Sequence, residues 1–281
     1  MSRAPARAAR VVGPDAPRVA AFAHRGGAGH PDLIGLENTL PAFEHAVALG
    51  YDLLETDVHA TRDGVLVALH DERLDRVSDS AGAIADLPYS VVRGARIRGA
   101  HQVPTLAELF DRFPDARFNL DLKAAGAVRP LADFLMAREA WDRVLVGSFS
   151  AARLARFRRL TRGRVATSAH PAEVAAFRLL PSARLADQVT RRRVAALQIP
   201  HRRGRLTVAT RGLIRRAHRV GVRVDVWTVD DPAEMRALIA RGVDGLMTDR
   251  TDLLRQTLEA EGLWREDSPQ PPDADPQEDP R

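Results

Sequence analysis

Apolar residues along this chain fall into two alternating patterns. Short continuous runs are followed by longer stretches in which apolar positions stand three or four apart. The short runs are Val19–His24, Asp52–Val58, Phe118–Lys123, Val144–Phe149, Val165–Ser168, Ala195–Pro200, Val222–Val229 and Val243–Thr248. Runs of this length and character predict strands buried on both faces. Between them, Asn38–Leu49 is helical by the spacing of Leu40, Phe43 and Val47 and stops at Gly50. Pro104 opens a second helix, in which Thr105 and Glu108 have the spacing of a capping box. Further helices are predicted over Leu131–Arg138, Ala151–Leu160, Pro171–Leu180, Leu206–Val220 and Pro232–Arg241, with a last one running through Glu261. Eight strands alternating with helices predict a (β/α)8 TIM barrel over residues 18–264. A doubly wound open sheet is the alternative that periodicity alone leaves standing.

The flanks read differently. Residues 1–17 are rich in Ala, Arg and Pro and aperiodic, which predicts a flexible arm. Residues 265–281 are acidic and Pro-rich, which predicts a disordered tail. After the second strand, the turn Thr61-Arg62-Asp63-Gly64 leads into a further apolar run, Val65–Leu69, that delivers His70. Residues 72–103 carry scattered Gly, Pro and Arg and are expected to form a short irregular insertion over the barrel mouth.

Three charged clusters stand at the ends of apolar runs: His24-Arg25, Glu55-Thr56-Asp57 and His70-Asp71. In a barrel the C-terminal strand ends converge on one mouth, where active sites sit. Strand residues two apart point the same way, so Glu55 and Asp57 present two carboxylates to one small volume. Such a pair needs a cation or a shared proton to relieve its repulsion, and hard divalent cations take oxygen ligands of this kind. His24 and His70 add imidazoles that both take and give protons near neutrality. Together these residues read as metal-assisted acid–base chemistry.

Composition narrows the partners. A chain of 281 residues, 45% of them hydrophobic, can bury one substantial core. The absence of cysteine excludes disulfides and thiolate metal sites. No run approaches the ~18 apolar residues of a membrane span, and the N-terminal residues hold no continuous apolar core of a secretory leader. A soluble cytoplasmic protein is expected. The formal charge of +5 comes from 42 basic and 37 acidic residues, and Lys123 is the single lysine among the basic ones. The arginine runs 153–164 and 191–205 raise a non-catalytic phosphate or nucleic-acid binder as a rival reading. Acidic residues nearly balance the basic ones and no aromatics interleave the runs as stacking platforms, so no nucleic-acid partner is predicted. The glycines after Arg25 suggest a phosphate-cradling loop, but the dinucleotide pattern fails because Asp32 stands where its last glycine belongs.

The segments HRG, ENTLPAFEHAVALG, ETDVHATRDG and HDERLDR, in that order, resemble the glycerophosphodiester phosphodiesterase family. The resemblance implies a TIM barrel that hydrolyses glycerophosphodiesters to sn-glycerol 3-phosphate and an alcohol. It implies one divalent metal ion, Mg2+ or Ca2+ with Mn2+ as a further choice, and His24 and His70 as the acid–base pair. The family's third metal ligand belongs to a Glu-x-Lys strand end, where this chain reads Asp121-Leu122-Lys123. Aspartate is one methylene shorter, so either the backbone sits closer or a water intervenes. Three carboxylates and a phosphodiester are then offset by the metal, Arg25 and Lys123. Glu37 is placed near the site, orienting Arg25 or His24 rather than touching metal. Trp227, in a segment close to the family's VWTVN, reads either as packing on the glycerol or headgroup or as an ordinary core aromatic, with Asp230 where Asn is usual. Asp249 reads equally as a helix cap or a site residue, and His170 and His201 match no motif. A lysophospholipase D of the same fold is the nearest alternative; the lack of a long apolar patch favours water-soluble substrates.

Overall fold

The computed structural model describes residues 19–264, so both predicted flanks, the 1–17 arm and the 265–281 tail, lie outside the described residues. Eight parallel strands close into a barrel. They are β1 (Ala20–Ala23), β2 (Leu53–Ala60), β3 (Arg117–Leu122), β4 (Val144–Gly147), β5 (Ala166–Ser168), β6 (Val194–Pro200), β7 (Arg223–Trp227) and β8 (Gly245–Thr248). Each pairs with the next, and closure comes from β1 bonding both β8, where Ala20 opposes Gly245, and β2, where Phe22 opposes Leu53. Around them run α1 (Leu40–Ala48), α2 (Leu106–Arg112), α3 (Val128–Ala137), α4 (Ala151–Leu160), α5 (Pro171–Leu179), α6 (Ala183–Val189), α7 (Arg211–His218), α8 (Pro232–Arg241) and α9 (Thr251–Ala260). None of these helices is long and apolar enough to cross a membrane.

Strand alternation divides the apolar residues into two cores. Ala20, Phe22, Leu53, Leu145, Ala166, Ala196 and Met247 fill the barrel interior. Leu54, Val58, Phe118, Leu120, Val146, Val224 and Leu246 face outward and meet the helices through Phe43, Leu109, Leu131, Phe157, Leu213, Leu238 and Leu254. On β2 the inward set is Leu53, Glu55 and Asp57, so the strand that reads as apolar carries its carboxylates into the barrel.

The structure corrects the expected picture around this strand. Glu55 and Asp57 do not end β2, which runs on to Ala60. They do stand at the barrel rim, because Val58 pairs with Leu122, where β3 stops. The overhang exists because Leu66–Ala68 folds back antiparallel on it, pairing Val58 with Ala68 and Ala60 with Leu66. That return brings the Leu69 N–H to the Asp57 carbonyl at 3.1 Å and sets His70 beside the mouth. His70 is thus delivered by a return strand and not by a barrel strand.

The segment after His70 is more ordered than its composition suggests. Leu69, Leu74, Ile84, Val92, Ala95, Ile97 and Val103 bury one another in a small core of their own, around a turn at Ile84–Asp86 and a one-turn helix at Tyr89–Val92. The capping box of α2 is present: the Thr105 hydroxyl accepts from the Glu108 N–H at 3.1 Å, and the Glu108 carboxylate accepts from the Thr105 N–H at 2.7 Å. The helix expected over Leu206–Val220 starts only at Arg211, where the Thr210 hydroxyl accepts from the Leu213 N–H. Leu206–Thr207 instead pairs with Arg202–Arg203 in a hairpin. Between α5 and β6 the sequence reading lacked α6, whose start is marked by Ser182 accepting from the Leu185 N–H.

Candidate active site at the barrel mouth

The chain leaves β1 through a tight turn over His24–Gly26 in which Arg25 adopts the left-handed region, φ 50°. That conformation is uncommon for a side-chain-bearing residue and is held from two directions. The Arg25 N–H donates to Glu55 Oε2 at 3.1 Å, and the Arg25 carbonyl accepts from the Asn38 N–H at 2.9 Å. Gly26 and Gly27, both at φ 84°, let two helices approach. A Cβ on Gly26 would meet Ala42 of α1 at 2.8 Å, and one on Gly27 would meet Thr251 of α9 at 2.4 Å. Close packing therefore accounts for this glycine pair.

The carboxylates line the adjoining wall. Glu55 and Asp57 are buried, and Asp121 on β3 stands in register with Asp57. The Lys123 ammonium lies between the two aspartates, 3.0 Å from Asp57 Oδ1 and 2.7 Å from Asp121 Oδ2. Asn38 donates to Asp57 Oδ2 at 3.0 Å and is itself oriented by the Thr56 hydroxyl at 2.7 Å. Arg25 Nε is buried 3.3 Å from Asp57 Oδ2 without making a hydrogen bond, and Nη1 donates to Glu37 at 3.4 Å.

These surroundings separate the two β2 carboxylates. Burial pushes the Asp57 pKa up, but Lys123, Arg25 and the Asn38 hydrogen bond outweigh it and hold the group below its ordinary value. Glu55 is pushed up to about 7, by burial first and then by Asp57 and Asp121, against the opposing pull of His24 and Arg25. For Lys123, burial lowers the pKa, yet Asp121 and Asp57 more than restore it. Glu55 is therefore the anion here that lacks a close cation.

Each expected imidazole is oriented by a carboxylate. His24 Nδ1 meets Asp249 Oδ1 at 2.7 Å, leaving Nε2 3.9 Å from Glu55 Oε2. Burial lowers the His24 pKa, but Glu55 and Asp249 outweigh that and leave it raised. His70 Nδ1 meets Asp71 Oδ1 at 2.7 Å. Hydrogen bonds from Arg76 hold Asp71 at about 2. Arg76 also grips Glu37, at 2.6 and 3.1 Å, so Glu37 joins Arg25 to the segment that follows His70. Trp227 ends β7, half-buried, and meets the exposed Phe149 edge-on at 5.9 Å. His170 and His201 are engaged elsewhere, as the N-cap residue of α5 and as the partner of Glu234.

Several residues in this arrangement were not picked out from the sequence. Asn38 and Thr56 were visible only as neighbours of Glu37 and Asp57 in their motifs. Arg76 lies in the expected insertion and Phe149 just past β4, whereas Asp249, one residue beyond β8, is the residue that reads equally as a helix cap or a site residue. Nothing local marks Asp249 as the partner of His24, 225 positions away.

The donor set suits a hard divalent ion. Three carboxylates offer anionic oxygens, and Glu55 in particular holds a raised pKa that a neighbouring cation would relieve. Lys123 already neutralises part of the Asp57–Asp121 charge. Among the described residues, the group whose ligand atoms lie within 4.8 Å of one another is a different one, His30, Asp32 and His45.

The sequence model of the glycerophosphoryl diester phosphodiesterase family matches residues 24–253. A Mycobacterium tuberculosis protein named "Probable glycerophosphodiester phosphodiesterase 2" is 42% identical over 230 residues, covering 81% of this chain and 87% of its own. Human lysophospholipase D is 39% identical over 115 residues, 36% of this chain and 35% of the human one. Among solved structures, an Oleispira antarctica phosphodiesterase in complex with the product sn-glycerol-3-phosphate superposes with a TM-score of 0.69 at 22% identity, covering 85% of this chain and 96% of its own.

The electrostatics of Glu55 generate a prediction for metal-free protein. Its folded pKa, about 7, lies above its ordinary value of 4.5, so the folded state binds the extra proton between those limits. Stability then falls as pH rises through that window. Urea titrations in chelator are expected to show wild type losing stability relative to Glu55→Gln between about pH 4.5 and 7. Parallel curves for the two proteins would contradict the buried, cation-poor setting of Glu55.

Proposed function

This chain belongs to the glycerophosphoryl diester phosphodiesterase family, and on that premise we propose that it hydrolyses glycerophosphodiesters to sn-glycerol 3-phosphate and an alcohol at the barrel mouth. The observation that carries the proposal is the pairing of two carboxylate-oriented imidazoles, His24–Asp249 and His70–Asp71, with a wall of three carboxylates and two cations. The family is generally dependent on a divalent metal, and Glu55, Asp57 and Asp121 are the residues that would hold it here. Their oxygen donors suit Mg2+, Ca2+ or Mn2+. Such an ion supplies charge neutralisation at the phosphoryl oxygens.

The chain's own groups divide the remaining work. Arg25 and Lys123 bind the phosphodiester anion, and Glu37 holds Arg25 in place. Trp227 packs on the glycerol or headgroup. His24 and His70, each fixed through Nδ1, exchange protons through Nε2. As the new P–O bond forms, one imidazole takes a proton from the attacking oxygen, that of water or of a substrate hydroxyl whose cyclic phosphodiester water then opens. As the old P–O bond breaks, the other gives a proton to the departing alkoxide, so the proton count of the pair is unchanged over a turnover.

A second reading, hydrolysis of lysophospholipids, is favoured by one observation. Phe149, 59% exposed, stands against Trp227 and offers an apolar surface at the end of β4. Assaying glycerophosphocholine, glycerophosphoethanolamine and a lysolipid, with and without metal, decides between the two. Turnover of the soluble diesters, abolished by exhaustive chelation and restored by Mg2+, Mn2+ or Ca2+, is the expected result. Full activity in protein shown by elemental analysis to be metal-free would refute the carboxylate metal site.

Removal of either imidazole tests the proton-transfer pair. His24→Ala and His70→Ala are each expected to lose roughly 10²–10⁴-fold in kcat, with metal binding little changed. Near-normal turnover by either variant removes that histidine from the mechanism.

Lys123 offers a sharper test. It is the one lysine in the chain, and its ammonium sits within 3.0 Å of two carboxylates, of which Asp57 is also met by Arg25 and Asn38. An ammonium is compact, whereas a guanidinium needs room for a planar fork. Lys123→Arg keeps the charge yet is expected to lower kcat/KM at least about tenfold, ~1.4 kcal/mol of transition-state stabilisation. Hydrolysis at the wild-type rate would make the lone lysine a compositional accident.

A further inference from the structure

Outside the barrel wall, three residues with metal-ligating side chains meet where no proposed role in catalysis calls for them. His30 follows the glycine turn, Asp32 lies in the short turn Pro31–Leu33, and His45 sits on α1. Each offers one ligand atom, and these lie within 4.8 Å of one another. The helix places His45 on its flank, since Ala42, Phe43 and Ala46 are the residues of α1 that it buries.

The internal bonding of this group is incomplete. The His30 and His45 rings stand 4.4 Å apart between centroids and tilted by 48°. His45 Nδ1 is buried and has no hydrogen-bond partner. A buried ring nitrogen without a partner is costly to fold around unless something satisfies it. His30 Nδ1 accepts the Asp32 N–H at 3.2 Å and lies 3.8 Å from Asp32 Oδ2. Burial, with His30 nearby, lowers the His45 pKa against the pull of Asp32 and Asp252, which favours the neutral imidazole that a metal requires.

We propose that His30, Asp32 and His45 form a second metal site, which takes a borderline transition-metal cation such as Zn2+ or Co2+. Two imidazoles and one carboxylate are a ligand set for such ions, with the fourth tetrahedral position left to water. The mouth differs in kind, since its three carboxylates favour a hard ion. Tetrahedral zinc with bonds near 2.0–2.1 Å holds its ligand atoms about 3.4 Å apart. Closing from 4.8 Å asks for a shift of the order of an ångström, which an exposed aspartate and two half-buried rings can supply. Occupancy ties the loop that follows Arg25 to α1, so it acts on the order of that loop and not on the chemistry.

The test compares full-chain wild type with His45→Gln and with Asp32→Asn, an exposed position where folding is safe. Each protein is saturated with Mg2+ and then titrated with Co2+, read by ligand-field absorption, and with Zn2+, read by competition with a chromophoric chelator. Wild type is expected to bind one more equivalent than His45→Gln, and Asp32→Asn to bind that equivalent at least tenfold more weakly. Mg2+-supported phosphodiester hydrolysis is expected to be equal in all three. Zn2+ and Co2+ binding that is the same in stoichiometry and affinity across the three proteins overturns the proposal.

Discussion

Much of this molecule follows from one constraint: two carboxylates on β2 point inward at the mouth of an apolar barrel. Glu55 and Asp57 are 4% and 1% exposed, and buried anions are tolerated only with partners. Asp57 has them in Lys123, Arg25 and Asn38. Glu55 has the Arg25 N–H and a histidine at 3.9 Å, and its pKa registers the deficit. The mouth is thus polarised before any ligand arrives. One carboxylate is matched by cations and its neighbour is not.

The surrounding backbone is shaped to hold these partners in place. Arg25 keeps an unfavourable conformation because Glu55 and Asn38 bond its peptide group from both sides, and because two glycines let α1 and α9 press against the same turn. The return strand after β2 performs a similar service for His70, whose own carbonyl is met by His59 Nε2 at 3.3 Å. Arg76 then links the small outer core to the mouth through Glu37 and Asp71. An expected loop is in this way a support for one of the two imidazoles.

Arginine dominates the basic residues, yet many of the guanidiniums here serve structure on the outer face. Arg158 holds Glu173 at 2.7 Å between α4 and α5, Arg143 caps carbonyls of Phe113 and Ala116, and Arg138 pairs with Asp111. At the β3 end, where two aspartates stand in register, the chain uses lysine. Guanidiniums serve buried, surface and mouth positions alike, Arg25 among them, while the compact ammonium of Lys123 stands between the two aspartates.

The sequence by itself determined the alternation of strands and helices, the cap of α2 and the cluster of acids and histidines, because each is written in residues close together in the chain. Apolar periodicity places Leu54 and Val58 on one face of β2 and Glu55 and Asp57 on the other, and the motif resemblance adds Asp121, Lys123 and Glu37 to their neighbourhood. Only the tertiary structure decided which groups pair. His24 finds Asp249 because β1 bonds β8 when the barrel closes, and Asn119 finds Gln198 at 2.9 Å across its interior. His70 reaches the mouth by an antiparallel return that no local pattern distinguishes from a ninth strand. Likewise, His30 and His45 read as unremarkable until α1 packs against the turn that carries the first. Such contacts depend on closure and register, which belong to the sum of all the strand pairings and to no single stretch of the chain.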